Sequence, residues 1–226
     1  MRDVKNIINV NPKNWLHKVY LLQGITKAVQ YVKGSLLDIG CAEKPYEKIY
    51  GPLVSSYVGI DHPACYHSQT KIDVFASAMV LPFREGQFDT VLATQVLEHL
   101  PQPAEFFFEA SRVLKAGGYL IVTAPHIWML HEEPYDFYRY TKYGLALLSR
   151  KAGLKPLAIE PMGGFWVTLS VRLSYYLYDF FRPSYLAGKM INVLCRLIQL
   201  VGYEMDSLFP GEEDTHNYLL IAVKTA

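Results

Sequence analysis

Leu36-Leu37-Asp38-Ile39-Gly40-Cys41-Ala42-Glu43-Lys44-Pro45-Tyr46 is the stretch that decides the fold. A short apolar run ends directly on Gly40, where the backbone must turn tightly and can approach a ligand with no side chain in the way. In an open parallel sheet the ligand lies at the carboxyl ends of the strands, and the first strand with its turn helps to form that site. Twenty-one residues after Gly40, Tyr57-Val58-Gly59-Ile60-Asp61 ends on an acid. A carboxylate placed there accepts charge-assisted hydrogen bonds from both hydroxyls of a ribose.

Further apolar runs continue the pattern. Residues 70–75 (TKIDVF), 88–94 (FDTVLAT), 118–124 (GYLIVTA), 154–160 (LKPLAIE) and 218–224 (YLLIAVK) alternate with helical stretches. Asn11 reads as a cap with Pro12 at the first helical position, and Trp15, Val19, Leu22, Val29 and Val32 follow at helical spacing up to Gly34. Pro103–Leu114 reads as a helix stopping at Gly117 and Gly118. Thr141–Ala152 reads as another, with Thr141 as cap and Gly153 as stop. The expected fold is α/β, a Rossmann-like, seven-stranded, mostly parallel sheet with helices on both faces. Its last strand is antiparallel, and a helical insertion separates strands six and seven. One domain of 226 residues is expected: an opening helix (1–34), a core (35–161), the insertion (162–217) and the last strand (218–226).

The chain is 51% hydrophobic and 19% charged, which excludes intrinsic disorder. Lys plus Arg is 22 against 21 for Asp plus Glu, so the basic excess that drives nucleic-acid binding is missing, and no nucleic-acid partner is expected. Three cysteines at unrelated spacings give no disulfide framework, which points to a reducing cytoplasm. The first residues carry charge and Asn where a secretory signal needs an apolar core, and no apolar run reaches membrane-spanning length.

The loop Ser77-Ala78-Met79, then Leu81-Pro82-Phe83, then a strand opening at Phe88-Asp89 and ending at Thr94-Gln95, sharpens the reading. With LLDIG, YVGID, FDTVLATQVLEHL and RVLKAGGYLIVTAP, the sequence resembles the class I S-adenosylmethionine-dependent methyltransferases, in the group that includes the ubiquinone-biosynthesis type. The resemblance runs from Ser35 to about Glu160, with Tyr218–Lys224 as the terminal strand. It implies S-adenosyl-L-methionine as cofactor. Asp38 and Gly40 would line its methionine end, Asp61 would hold its ribose, Ser77, Ala78 and Met79 would border its adenine, Thr94 and Gln95 would face it from the fourth strand, and Cys41 and His62 are further candidate cofactor-binding residues. A sulfonium is favoured by carbonyl oxygens and by the absence of nearby Lys or Arg. The sequence departs from the family where Ala42 and Lys44 replace its second and third glycines and Ser77 replaces the acid of the adenine loop; Ala42 is tolerable only with a negative φ. A dinucleotide dehydrogenase would need G-x-G-x-x-G after the first strand, and this chain lacks it.

Residues 124–141 (APHIWMLHEEPYDFYRYT) are dense in groups that move protons or bind anions. Methyl transfer is an in-line displacement, so the protein chiefly positions the acceptor. A base is needed only where the acceptor must lose a proton, and His126 or His131 would serve. His99, Tyr135, Asp136, Tyr138 and Arg139 are candidate acceptor-binding groups. Asp136 and Arg139, at i and i+3, can equally pair on a helical turn, and His99 can cap its short helix. No metal is expected: His62, Cys65 and His67 lack a fourth ligand and a second cluster, and His131-Glu132-Glu133 lacks the second His of HExxH.

The insertion holds ten of the 31 aromatic residues. In its first helical segment Thr168, Arg172, Tyr175, Asp179 and Arg182 fall on one face and Trp166, Leu169, Leu173, Tyr176 and Phe180 on the other. Arg182-Pro183-Ser184 breaks the chain, with Ser184 as the next cap. Lys189, Asn192, Arg196 and Gln199 then form a polar stripe beside Met190, Ile191, Leu194, Leu197, Ile198 and Val201. Such a hairpin can pack on the protein's own sheet, cover an acceptor cleft, form a homodimer interface, or lie on a bilayer surface as a peripheral contact. The expected function is methyl transfer to a small or lipid-like acceptor, at oxygen, nitrogen or carbon, held between residues 126–139 and the insertion. The alternative is a non-catalytic protein that binds the cofactor or a partner.

Overall fold

The computed structural model describes residues 11–64, 69–181 and 185–225, the side chains of 185–187 excepted. The expected roles of Cys65, His67, Arg182, Pro183 and Ser184 lie outside these residues. The strands are β1 (Ser35–Ile39), β2 (Ser56–Asp61), β3 (Val74–Phe75), β4 (Phe88–Thr94), β5 (Leu114–Pro125), β6 (Leu154–Met162) and β7 (Asn217–Lys224). The helices are α1 (Trp15–Lys27), α2 (Glu47–Tyr50), α3 (Pro103–Val113), α4 (Lys142–Lys151), α5 (Phe165–Phe180) and α6 (Tyr185–Leu208). The strands form one sheet in the order β3-β2-β1-β4-β5-β7-β6. Its first five strands pair in parallel, and β7 enters antiparallel between β5 and β6. Strand order reverses at β1, with β2 on one side and β4 on the other, so the ligand crevice of such a sheet belongs at the carboxyl ends of these strands.

Contacts divide the chain into two units. The larger comprises Ile25–Pro125, Met129–Glu160 and Tyr218–Ala226 and carries the sheet. Its core is the run of apolar side chains that the sequence pattern selects: Leu37 and Ile39 of β1, Ile60 of β2, Val91 and Ala93 of β4, Leu120 and Val122 of β5. Phe106, Phe107, Ala110 and Val113 line the buried stripe of α3. Thr141 caps α4 by accepting from the Gly144 amide, and Gly153, at φ +74°, follows its end. Two elements differ from expectation. β3 is only two residues long. α3 ends at Val113, and β5 begins at Leu114, so Gly117 and Gly118 lie inside a strand. The register jumps from Phe88↔Leu114 to Thr90↔Tyr119 at this point, and the two glycines absorb the irregularity.

The smaller unit comprises Met1–Gly24, His126–Trp128 and Pro161–Asn217. Asn11 accepts from the Lys13 amide and caps a 3₁₀ turn, Pro12–Asn14, that leads into α1. Leu16, Val167 and Val171 form its core, with Trp15, Tyr20, Trp128, Tyr175 and Tyr203 packed against them. On α5 and α6 the apolar residues divide: Val167, Val171 and Ile191 are buried, and larger ones face outward. Leu169, Leu173, Tyr176 and Phe180 are exposed, whereas Thr168, Ser170 and Ser174 are buried. On α6 Met190, Leu194, Leu197 and Val201 are exposed, whereas Cys195 and Gln199, a member of the expected polar stripe, are fully buried. Small residues explain this. A Cβ on Gly202 would stand 2.3 Å from the Ser170 hydroxyl oxygen, and the Ser174 hydroxyl donates to the Ser170 carbonyl at 2.8 Å. The two helices approach through Gly, Ser and Cys, and the bulky apolar residues are left outside.

Gly202→Val would force these helices apart and destabilise the protein by about 2 kcal/mol. Urea unfolding checks this; an unchanged midpoint would show that the contact does not hold the hairpin.

Candidate active site

The turn after β1 is built by hydrogen bonds to the end of β2. The amides of Gly40 and Cys41 both donate to the Ile60 carbonyl, at 2.9 and 3.0 Å. Gly40 has φ +69°, and a Cβ there would meet Val96 at 2.4 Å. Ala42 and Lys44 are also left-handed, at φ +44° and +50°. The requirement that Ala42 keep a negative φ is therefore overturned: the turn retains the glycine conformation without the glycine. Each such residue costs about 1 kcal/mol of backbone strain.

Interactions that the sequence alone did not reveal offset that cost. Lys44, only 7% exposed, sets its ammonium against Asp73 Oδ2 at 2.5 Å, and the Gly59 amide donates to the same oxygen at 2.7 Å. A side chain on Gly59 would collide with Lys44 Cε and Cys41 Sγ at 2.5 and 2.6 Å. The lysine that replaces the third glycine thus has its charge balanced by Asp73. Asp38 is 1% exposed and accepts from the Tyr57 hydroxyl at 2.7 Å. Burial pushes its carboxyl up to about 7, against the Tyr57 hydrogen bond and the Lys44 charge. Tyr46, also buried, hydrogen-bonds Thr94 and ties the turn to the end of β4.

The remaining expected cofactor residues lie at the ends of neighbouring strands. Asp61 accepts from the Ala42 amide at 2.9 Å through one oxygen and from the His62 amide at 2.7 Å through the other. Its carbonyl accepts from the Ala76 amide, which brings the Ser77-Ala78-Met79 loop beside it. Ser77 Oγ accepts from the Met79 amide at 3.2 Å and shapes that loop. Each Asp61 oxygen keeps a further lone pair for a ribose hydroxyl, so the donor and acceptor set fits such a group. The Cys41 side chain points inward, and burial pushes its thiol up to about 12. Gln95, at φ +55°, donates its amide to the Thr123 hydroxyl at 3.1 Å.

A second cluster follows β4. Glu98 and His99 close a short 3₁₀ turn, Leu97–His99, and the Glu98 carbonyl accepts from the amides of Phe137 and Tyr138. The rings of His99 and His131 meet edge to face at 4.9 Å. Asp136 and Arg139 pair in bidentate fashion, both bonds at 2.7 Å, and Arg139 also donates to the Met129 carbonyl at 2.6 Å. Residues 136–140 are irregular, so the pair braces a loop and not the helical turn considered for it. Against the burial that raises it, Asp136 is held at about 2 by hydrogen bonds from Arg139 and the His131 amide. Tyr138 donates to the Pro101 carbonyl at 3.1 Å, and the Tyr135 carbonyl meets His99 Nδ1 at 2.7 Å. His126 belongs to the smaller unit, where its amide donates to the His216 carbonyl.

Residues 37–122 match the family model described as a methyltransferase domain. An uncharacterized methyltransferase of Mycobacterium leprae is 33% identical over 102 residues, 42% of this chain and 38% of that protein. The chain spans about two fifths of the length of the first curated relatives it matches. Among solved structures, the cyclase SpnF superposes with a TM-score of 0.60 at 20% identity, covering 94% of this chain and 83% of its own. A phosphoethanolamine N-methyltransferase of Haemonchus contortus, in complex with phosphomonomethylethanolamine and S-adenosylhomocysteine, gives 0.57 at 16% identity, covering 91% of this chain and 53% of its own. These structural likenesses show the shared fold.

The buried Asp38 sets a pH dependence. Its proton is held more tightly in the folded than in the unfolded protein, so stability falls as pH rises from about 4 to about 7, by about 4 kcal/mol in all. Asp38→Asn keeps an acceptor for Tyr57 and removes this slope. Urea midpoints of both proteins across that range, without added ligand, measure it; parallel curves would refute it.

Proposed function

From the match of residues 37–122 to the methyltransferase domain model, we propose that the protein transfers a methyl group from S-adenosyl-L-methionine to a small or lipid-like acceptor. The observation that carries this reading is the meeting, at the switch point of the sheet, of the left-handed Gly40–Lys44 turn with the Asp61 carboxylate. The S-adenosylhomocysteine in the Haemonchus enzyme supports the same cofactor for this chain. Asp61 would hold the ribose hydroxyls, the 77–79 loop the adenine, and the Gly40 turn with Asp38 the methionine end. When bound, the cofactor supplies a methyl group on an electron-poor sulfonium. The chain's own task is to seat the acceptor in line with it and, for a hydroxyl or ammonium acceptor, to take a proton, for which His126 and His131 remain the candidates. Cytoplasmic residence agrees with Cys41 and Cys195, which are free and buried.

The outward apolar faces of α5 and α6 support peripheral contact with a bilayer. Among the described residues no helix is long and apolar enough to cross a membrane. Residues 185–203 carry Lys189 and Arg196 and no acid, which suits anionic headgroups beside Met190, Val193, Leu194 and Leu197.

Calorimetry with S-adenosylhomocysteine tests the cofactor site. Wild type binds, and Asp61→Ala binds about 30-fold more weakly, as expected for the loss of charge-assisted hydrogen bonds. No binding by wild type would sink the reading, and binding without turnover on a panel of acceptors would favour the non-catalytic alternative.

Flotation with phosphatidylglycerol vesicles at low salt tests the surface. Wild type rises with the vesicles and Leu197→Glu does not; a protein that stays at the bottom as a particle of twice the chain mass would instead assign the face to a second copy.

A further inference from the structure

Glu98 is fully buried, and neither of its carboxylate oxygens has a hydrogen-bond partner. A buried carboxyl with no partner is costly unless something compensates it. Two imidazoles stand beside it. One ligand atom from each of Glu98, His99 and His131 lies within 4.8 Å of the others.

The outer hydrogen bonds of both histidines show which atoms are on offer. His99 Nδ1 meets the Tyr135 carbonyl at 2.7 Å, and His131 Nδ1 meets the Met129 carbonyl at 3.2 Å. A carbonyl only accepts, so each Nδ1 carries the proton and each Nε2 keeps its lone pair. This is the arrangement by which a carbonyl behind the ring orients a metal-binding imidazole. His131 Nδ1 is also 3.2 Å from Asp136, whose own charge is balanced by Arg139. The support is stiff: the Glu98 carbonyl is pinned by two amides, and Tyr140 donates to the Leu97 carbonyl at 2.8 Å. Glu132, with a carboxylate oxygen 3.7 Å from His99 Nε2, adds negative charge at the edge.

We propose that Glu98, His99 and His131 bind a divalent first-row transition cation, as a two-histidine, one-carboxylate site with coordination positions left for other oxygens. The ligands come from two loops 32 residues apart, which is why searches for paired ligands along the sequence pass over them. Glu98 follows Thr94, the last residue of β4, by four positions, so the site stands just beyond the carboxyl end of that strand. Its use in catalysis rests on the methyltransferase reading and narrows it to hydroxyl-bearing acceptors. His131 is then a ligand and not a base: a hydroxyl bound to the cation would lose its proton to solvent, the oxygen lone pair would form the new C–O bond as the methyl–sulfur bond breaks, and that electron pair would return to sulfur, leaving a neutral thioether.

Titration of the chelator-treated full chain with Co²⁺, followed by its visible absorption and by calorimetry, tests the site without cofactor or acceptor. The expected result is one equivalent bound by wild type and by Glu85→Gln, an exposed carboxylate elsewhere, and affinity at least about 30-fold lower in Glu98→Gln and in His131→Gln. Thermal melting of the metal-free variants establishes that they are folded; His99→Gln replaces any that is not. Absence of stoichiometric binding in wild type, or unaltered binding in the folded variants, would overturn the proposal. Either result leaves S-adenosylhomocysteine binding unaffected, so failure of the metal site and failure of the cofactor reading are separable.

Discussion

One oxygen of Asp73 holds the first turn of the sheet in place. It receives the Gly59 amide from β2 and the Lys44 ammonium from the turn, and so ties two segments that the chain brings together only through strand pairing. The turn is costly by itself, because Ala42 and Lys44 carry side chains in a backbone region that glycine enters freely. Gly59 leaves the space into which Lys44 and Cys41 pack. With the turn fixed, the Ala42 amide reaches Asp61, and Asp61 in turn reaches the loop at Ala76. The side of the sheet proposed for the cofactor is a relay of backbone amides onto carboxylates, in which each bond positions the next.

Much of this frame was legible in the sequence because it is local. Asn11, Thr141 and Gly153 act where a cap or a stop must act, and the short continuous apolar runs became strands buried on both faces of the sheet. Gly117 and Gly118 were misread as a helix stop because a glycine pair looks alike at a helix end and at a strand irregularity; only pairing with Phe88 and Thr90 distinguishes them. The hairpin shows a different limit. Periodicity identified its apolar and polar stripes but not which faces inward. Close approach at Gly202, Ser170 and Ser174 drew the small side inward and left Leu169, Leu173, Met190 and Leu197 outside.

The site residues divide in the same way. Asp38, Gly40 and Asp61 stand at strand ends and could be read from their positions. Tyr57, Lys44, Asp73 and Tyr46 could not, since each acts through a partner 14 to 48 residues away that strand register alone brings into reach. The Glu98, His99 and His131 group was hidden for a related reason: no spacing rule links a short turn after β4 to an irregular loop after β5. What betrays it is a physical deficit, a buried carboxylate with nothing to bond.

Gln199 bears on how the chain reaches this structure. Its amide accepts from the Leu16 amide and donates to the carbonyls of Pro12 and Lys13, across 183 residues or more. The smaller unit is assembled from separated stretches, Met1–Gly24, His126–Trp128 and Pro161–Asn217, with most of the sheet encoded between the first and the third. During synthesis α1 meets this anchor only when α6 has left the ribosome, after six of the seven strands. Closing so long a loop is an entropic cost, though one that grows only slowly with the length closed. The hydrogen bonds between Gln199 and the start of α1 therefore form only after β1 to β6 have been made.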